Sequence, residues 1–348
     1  MTAKPRKLRV AVIGCGAVAQ YRHLPEYRAR DDVELVAVVD RNARRAQAVA
    51  GRFGVPHHFD RYRHALDLHL DAVSICTPTA YHAVHSVAFL RAGASVLCEK
   101  PMAASSREAN TMIAVAAGEQ RQLMIAHNQR LHLPHIEGRK ILQRGWLGRP
   151  IGFSTTFAHA GPETWSVDGR HCHFFRKRQA VWGSLADLGI HKIDLMRWLL
   201  EDDFVEVAAM FDTVQKPSCE VEDIAFCVMR TRRGVLGQMF SAWIHKPGCN
   251  DSTVVYCDQG ILRLEDDAEF SVIAVRDRDG CGDVPIRGLR RGDRAGPQNS
   301  GVVDGFLDAL QRDQPVPIPA TEVLGSLAAV EACIESARTG KAVRVAKG

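Results

Sequence analysis

The stretch Gly14-Cys15-Gly16-Ala17-Val18-Ala19 decides the fold of this chain, because it directly follows a compact apolar run at residues 8–13. It has the form G-x-G-x-x-A and lies between a predicted strand and a predicted helix. Gly14 permits a tight turn there, Gly16 lets the backbone approach a pyrophosphate, and Ala19 allows the helix to pack closely. The helix N-terminus attracts phosphate charge. We therefore predict a dinucleotide site whose first contacts are Gly14, Gly16, Ala17 and Val18.

An acidic residue supports this prediction. Asp40 ends the second apolar run, residues 33–39, about twenty residues after the glycines, where a carboxylate binds the ribose 2′-hydroxyl. A carboxylate repels a 2′-phosphate, which favours NAD, whereas Arg41 beside it keeps NADP open as an alternative. A glycine-rich turn that binds no nucleotide is the other interpretation.

The first third of the chain alternates short apolar runs with helical patterns, which predicts parallel βαβ units. Further runs end at Thr77-Pro78, at Glu99-Lys100-Pro101 and at His127-Asn128. Polar residues at strand ends are typical of an open α/β sheet that binds a ligand there. The predicted helices are 44–52, 82–92 and 108–119, the last preceded by a capping box at 105–108.

The pattern changes after about residue 128. One helix (136–144) is followed by strand-like runs at 151–159, 205–211, 224–231, 235–244, 253–256 and 261–264. Residues 232–234 are predicted to form a hairpin turn, 277–300 a long exposed loop, and 302–311 and 321–337 two helices. We therefore predict an α/β protein with a Rossmann domain at 1–127. The part of the chain after about residue 128 is predicted to be α+β with a mostly antiparallel sheet.

Two motifs indicate chemistry. Lys100 follows a predicted parallel strand and can place its charge against a forming alkoxide, although a surface ion pair is the alternative. In Gly183-Ser184-Leu185-Ala186-Asp187-Leu188-Gly189-Ile190-His191-Lys192-Ile193-Asp194, three ionisable residues recur at helical spacing, on one face. A carboxylate one turn from an imidazole can hold the tautomer of the ring and prepare it to accept a proton. A capped helix with a core histidine is the other interpretation.

Together these motifs closely resemble the Gfo/Idh/MocA family of oxidoreductases. The resemblance runs from about residue 8 to residue 345. It rests on the glycine turn, Thr77-Pro78 with His82, Glu99-Lys100-Pro101, Arg130 with Pro134, the 183–194 stretch, Val221-Glu222-Asp223, Gln259-Gly260 and Ser336-Ala337-Arg338-Thr339-Gly340.

The resemblance implies a Rossmann domain at 1–127 followed by a substrate-binding and oligomerisation α/β domain at 128–348. The second domain is expected to be built on a large, mostly antiparallel open sheet, which forms the oligomer interface in many members. It assigns catalysis to Lys100, Asp187 and His191, and substrate contact also to Asp194. It implies that the Lys100–Pro101 bond is cis. Further candidate cofactor contacts are Thr77, Pro78, His82, Glu99, Lys100 and Asn128. Trp182 and Ser184 stand where members often carry glycine, which leaves the pocket shape open.

The expected activity is an NAD(P)-dependent oxidation or reduction of a secondary alcohol or ketone in a sugar, cyclitol or sugar derivative. Aromatic and histidine side chains before the helix can line its pocket or belong to the core: Trp165, His171, His173 and Trp182. Two alternatives remain open, a glycosidase that recycles its NAD and a non-catalytic dinucleotide-binding regulator.

Composition limits the other possibilities. The net charge of +5 over 348 residues suits anionic ligands but is too diffuse for nucleic acid. The ten cysteines form no C-x-x-C pair, and His171-Cys172-His173 has no second ligand pair, so we expect no metal site. Neither a signal-peptide pattern nor a membrane-length apolar run is present. We expect a cytoplasmic homodimer or homotetramer.

Overall fold

The computed structural model describes residues 6–276 and 299–346. Most of the loop predicted at 277–300 lies outside the described residues. Within the described ranges, no helix is long and apolar enough to cross a bilayer.

The first sheet consists of six parallel strands in the order β3-β2-β1-β4-β5-β6. The strands are β1 (Leu8–Ile13), β2 (Val33–Val39), β3 (His57–Phe59), β4 (Ala72–Ile75), β5 (Ser95–Cys98) and β6 (Leu123–Ile125). All four residues of β4 and of β5 are buried, as expected for strands covered on both faces. The predicted Rossmann-type sheet is thus confirmed. Strand β3 was not predicted, because it has only three residues, two of them exposed.

Helices connect these strands: α1 (Leu24–Arg28), α2 (Ala43–Phe53), α3 (His82–Arg91) and α4 (Ser106–Gly118). The chain is already helical from residue 17, and a π-helical turn at Ala19–His23 leads into α1. Only one of the two hydrogen bonds of the predicted capping box of α4 is formed. Ser105 Oγ accepts from the Glu108 N–H at 3.3 Å, but the Glu108 carboxylate accepts from Ala104.

The second sheet is mostly antiparallel, as predicted. Its main path is β14-β13-β12-β7-β10-β9-β8-β15, and β11 pairs with β7. The strands are β7 (Pro150–His159), β8 (Phe204–Asp212), β9 (Ile224–Thr231), β10 (Leu236–Ala242), β11 (Cys249–Asn250), β12 (Thr253–Cys257), β13 (Gly260–Leu264), β14 (Val272–Arg276) and β15 (Val343–Arg344). Among the strand pairings of this sheet within residues 6–276 and 299–346, only β7–β10 is parallel. The predicted 232–234 turn joins β9 to β10.

Five helices accompany this sheet or follow it: α5 (Leu133–Gln143), α6 (Lys177–Ala180), α7 (Ile190–Leu200), α8 (Val302–Gln311) and α9 (Ala320–Thr339). A π-helical turn at Leu185–Gly189 runs directly into α7. Nearly every residue of that turn and of α7 is buried, so the 183–194 motif lies inside the protein.

The described residues form two large hydrophobic cores, one on each sheet. Residues near the C-terminus contribute to both of them. Phe306 and Leu307 of α8, with Val323 and Leu327 of α9, pack into the core of the first sheet. The second half of α9, from Ala329 to Cys333, packs into the core of the second sheet. The domain boundary at 127/128 stays a prediction, but the packing shows that C-terminal residues complete the first core.

Candidate active site

The glycine turn has the geometry of a phosphate cradle. Gly14 has φ +98°, and a Cβ there would lie 2.5 Å from the Cys76 carbonyl oxygen, so the ends of β1 and β4 meet only if this residue is glycine. A Cβ on Gly16 would meet no atom within 4 Å, which leaves open space for a pyrophosphate at the start of a helix. The residues present therefore fit a dinucleotide.

Asp40 is held at the edge of this turn. Its carboxylate accepts from the Cys15 N–H at 2.9 Å and from the Asn42 N–H at 2.8 Å, and the side chain is buried. These two bonds fix the carboxylate at the end of β2, where a ribose hydroxyl can donate to it. Arg41, next to Asp40, is exposed.

His82 joins two strand ends. Its ring nitrogens lie 2.7 Å from the carbonyl oxygens of Thr77 and Pro101, in buried surroundings. The Thr77-Pro78 turn is thereby fastened to the Lys100–Pro101 turn, whose peptide bond is cis as predicted. Both ring nitrogens are used by the protein, so His82 acts on the cofactor site by holding these turns.

Glu99 belongs to a buried hydrogen-bonded chain. Its Oε1 lies 2.9 Å from His23 Nε2, His23 Nδ1 lies 2.9 Å from Ser74 Oγ, and Tyr27 bonds the same hydroxyl at 2.7 Å. Burial raises the pKa of Glu99, but the hydrogen bond from His23 and the charges of His23 and Lys100 lower it to about 2. An ionised carboxylate thus lies beside Lys100.

Lys100 and Asp187 form the central contact of the site. Lys100 Nζ donates to Asp187 Oδ1 at 2.9 Å and to the Asp187 carbonyl oxygen at 2.7 Å. Trp243 Nε1 donates to Asp187 Oδ2 at 3.1 Å. Burial raises the pKa of Asp187, but the charge of Lys100 and these hydrogen bonds hold it below the ordinary value. The pair therefore presents a positioned ammonium at the end of β5.

His191 lies at the start of α7 and is only 7% exposed. Its ring packs near Phe157 and His127, with centroids 5.6 and 6.3 Å away, and its Nδ1 has no hydrogen-bond partner among the described residues. Burial, together with the charge of Lys100 and the neighbouring His127, lowers the pKa of His191 well below the ordinary imidazole value. The ring is neutral at pH 7 and can accept a proton.

The predicted contact between Asp187 and His191 is not formed. Both Asp187 oxygens are occupied by Lys100 and Trp243, so Asp187 does not hold the tautomer of His191. The physical reason is that the fold brings Lys100 and Trp243 to the Asp187 carboxylate, and helical spacing does not reveal either partner.

Asp194 faces the protein interior. It is 1% exposed and forms a bidentate ion pair with Arg130 at 2.7 and 2.8 Å, and Ser326 Oγ donates to it at 2.8 Å. This arrangement fastens α7 to the segment after β6 and to α9. Asp194 thus takes part in the packing of α7, and its expected contact with a substrate stays a prediction.

A cavity of about 870 Å³ joins the glycine turn to the Lys100–Asp187 pair. Of the predicted residues, its wall contains Gly14, Gly16, Ala17, Val18, Asp40, Arg41, Thr77, Pro78, His82, Glu99, Lys100, Trp165, His171, His173, Trp182 and Asp187. His191, Asn128 and Asp194 are buried and are not part of this wall. The amide nitrogen of Asn128 lies 3.2 Å from His132, while its Oδ1 has no protein partner.

Aromatic and imidazole rings line much of the wall contributed by residues 165–187. Trp165 packs edge-on against Phe174 at 5.2 Å, and Phe174 lies 4.1 Å from the His173 ring. Flat apolar faces beside hydrogen-bonding edges suit a polyhydroxylated ring.

Sequence reasoning missed several residues of the site. Trp243 donates a hydrogen bond to Asp187, His23 is hydrogen-bonded to Glu99, and the ring of His127 packs against that of His191. His159, at the end of β7, lies close enough to Asp187 to help lower its pKa. His127 had one usable signal, since it directly follows a predicted strand end, but Trp243 and His159 are brought in only by the second sheet.

The comparisons with known proteins agree with this geometry. A family model described as "Oxidoreductase family, NAD-binding Rossmann fold" matches residues 8–127, and one described as "GFO/IDH/MocA C-terminal domain" matches residues 135–263. The protein is thus an NAD(P)-dependent oxidoreductase with NAD as its cofactor. The chain belongs to the Gfo/Idh/MocA family.

Two curated relatives and one solved structure illustrate the similarity. D-glucoside 3-dehydrogenase of Escherichia coli (strain K12) is 34% identical over 202 residues, which is 58% of this chain and 55% of that protein. Inositol 2-dehydrogenase of Rhizobium meliloti (strain 1021) is 24% identical over 97% of this chain and 99% of that protein. The crystal structure of GenD2 from gentamicin A biosynthesis in complex with NAD is 26% identical, with a TM-score of 0.85 over 99% of this chain and 97% of that one.

The buried Arg130–Asp194 pair yields a stability prediction. Arg130→Met leaves the Asp194 carboxylate without its main partner, and breaking a buried pair in this way costs about 3–5 kcal/mol of unfolding free energy. Arg338→Met is the matched control, because Arg338 is exposed and its ion pair within the described residues is with exposed Glu335, so about 0.5 kcal/mol or less is expected. Urea unfolding measures both, and equal small losses would contradict the prediction.

Proposed function

We propose that this protein oxidises a secondary hydroxyl group of a sugar, cyclitol or sugar derivative, or reduces the corresponding ketone, with NAD as the hydride partner. The named relatives are sugar-type and inositol dehydrogenases, which supports the substrate class. The single observation that carries the proposal is the Lys100–Asp187 pair. It places an ammonium group in the same cavity as the glycine turn and Asp40.

We assign charge stabilisation and proton transfer to two different residues, Lys100 and His191. Lys100 binds the reacting oxygen and stabilises the negative charge that develops on it. Asp187 keeps the ammonium group in place through two contacts with Nζ. Trp243 in turn prevents the Asp187 carboxylate from rotating.

His191 handles the proton. In the oxidation direction it accepts the hydroxyl proton, and in the reduction direction it returns a proton to the same oxygen. Bound NAD supplies the carbon that takes up or gives the hydride. The lowered pKa of His191 keeps the ring neutral and ready to accept a proton, and its packing against Phe157 and His127 fixes its position.

Removing the ammonium group or the imidazole tests these roles. Lys100→Met and His191→Ala should each lower kcat by about 10²–10⁴-fold while NADH binding is kept, as measured by fluorescence titration. Lys140→Met is the control, because Lys140 is exposed and pairs with Glu137. The assay follows NADH absorbance with NAD⁺ and a panel of aldoses, glucosides and inositols. Near-normal kcat in either active-site variant would contradict the assignment.

The acid limb of the pH profile tests His191 separately. Protonation disables a general base, and its pKa lies below the ordinary imidazole value of about 6.5. The kcat/KM for oxidation should therefore stay level as the pH falls to about 6.5 and decline only below that value. The measurement is initial rate against pH with a substrate found in the panel. A decline centred above neutral pH would show that another group limits the reaction.

We further propose that the protein forms a homodimer or homotetramer through the outer face of the second sheet. Apolar side chains stand exposed there on neighbouring strands, with Met210 80% and Phe226 55% exposed. Met210 of β8 lies opposite Phe226 of β9, which in turn lies opposite Phe240 of β10, with Phe226 and Phe240 ring centroids 4.5 Å apart. Contiguous exposed apolar surface of this kind marks an interaction site.

A charge placed in this face should break the assembly. Phe226→Glu should lower the molar mass measured by light scattering during size-exclusion chromatography, because a carboxylate would be buried without a partner. Val84→Glu is the matched control, since Val84 is similarly exposed but lies on α3. If both variants keep the mass of the parent protein, the interface lies elsewhere.

A further inference from the structure

Arg45, near the start of α2, lies between two carboxylates that come from different parts of the chain. Its Nη1 is 3.7 Å from Asp40 Oδ2. Its Nη2 forms an ion pair with Asp168, which is 123 positions away and lies between β7 and α6. All three residues are in the wall of the cofactor cavity.

Asp168 is held in this position by its own loop. Its N–H donates to Ser166 Oγ at 3.3 Å, and its carbonyl oxygen accepts from the His171 N–H at 3.0 Å. The short helical turn Gly169–His171 follows directly. The loop thus places the Asp168 carboxylate in the cavity wall, in contact with Arg45 of α2.

The two carboxylates beside Arg45 affect whether the site accepts NAD or NADP. A guanidinium group matches a phosphate with two parallel N–H donors, which makes an arginine near the ribose a suitable partner for a 2′-phosphate. Here Asp168 occupies Nη2, and Asp40 lies near Nη1. Two carboxylates around one guanidinium leave a net charge of about −1, which repels a phosphate dianion.

We propose that Asp168 is a specificity-determining residue for the cofactor, contributed by the substrate-binding half of the chain. By occupying Arg45 it withholds that side chain from a 2′-phosphate and favours NAD over NADP. Asp40 selects for NAD by direct contact with the ribose, whereas Asp168 selects through Arg45. The inference depends on NAD binding at the glycine turn and not on the identity of the substrate.

The test compares the affinities for NADH and NADPH directly. In Asp168→Asn the side chain keeps its size but loses its charge, and Arg45 Nη2 becomes available to a phosphate. The ratio Kd(NADPH)/Kd(NADH), measured by fluorescence titration, should fall about tenfold, the effect expected for one nearby charge in a partly exposed site. An unchanged ratio would overturn the proposal, as would an equal loss of both affinities, since Asp168 would then act only on the fold.

Two further variants separate the ion pair from the general charge of the cavity. Asp60→Asn removes one negative charge from the same cavity wall without touching Arg45, because the ion pairs of Asp60 are with Arg61 and His64. Its Kd ratio should remain that of the parent protein. In Asp168→Asn/Arg45→Gln the gain in NADPH affinity should disappear. An equal gain in Asp60→Asn, or a gain that survives in the double variant, would show that Arg45 is not the group Asp168 controls.

Discussion

The ion pair between Lys100 and Asp187 is the contact on which the rest of the site depends. It joins the end of β5 in the first sheet to the turn before α7 in the second half of the chain, 87 positions away. Because Nζ donates to both the carboxylate and the main-chain oxygen of Asp187, the ammonium group is fixed by backbone as well as side chain. The Lys100 ammonium group is thereby held in the cavity where the two parts of the chain meet.

The start of the helix around His191 is anchored by two buried carboxylates, one on either side of His191 in the sequence. Asp187 contacts the first half of the protein through Lys100, and Asp194 contacts Arg130 and Ser326. Buried ion pairs contribute little net stability, yet breaking one is costly, so they fix the geometry more than they strengthen the fold. His191 lies between the two anchors, and its Nδ1 has no hydrogen-bond partner among the described residues.

The sequence was most informative where function depends on local backbone. The Gly14–Gly16 turn and Asp40 could be recognised because the turn, the helix start and the end of β2 all lie within about twenty-five positions. The pairing of Asp187 with Trp243 could not, because it depends on how β10 and the π-helical turn meet. Helical spacing placed Asp187, His191 and Asp194 on one face, but spacing says nothing about which partners the rest of the fold brings to each carboxylate. Strands β3, β11 and β15 were not predicted because they are two or three residues long, too short for an alternation to be seen. Strand β14, with five residues, was also not predicted.

Helix α9 belongs to both hydrophobic cores, and this limits how the protein can be cut into two parts. Residues 320–327 of this helix belong to the core of the first sheet and residues 329–333 to that of the second. The Met124–Pro319 bridge also places the preceding segment against the edge strand β6. The hydrophobic core of the first sheet is therefore built from segments that are discontinuous in the sequence. A cut after residue 127 would leave β6 and its apolar surface uncovered, and exchanging the nucleotide-binding half with that of a relative would require transferring the segment around 302–327 as well.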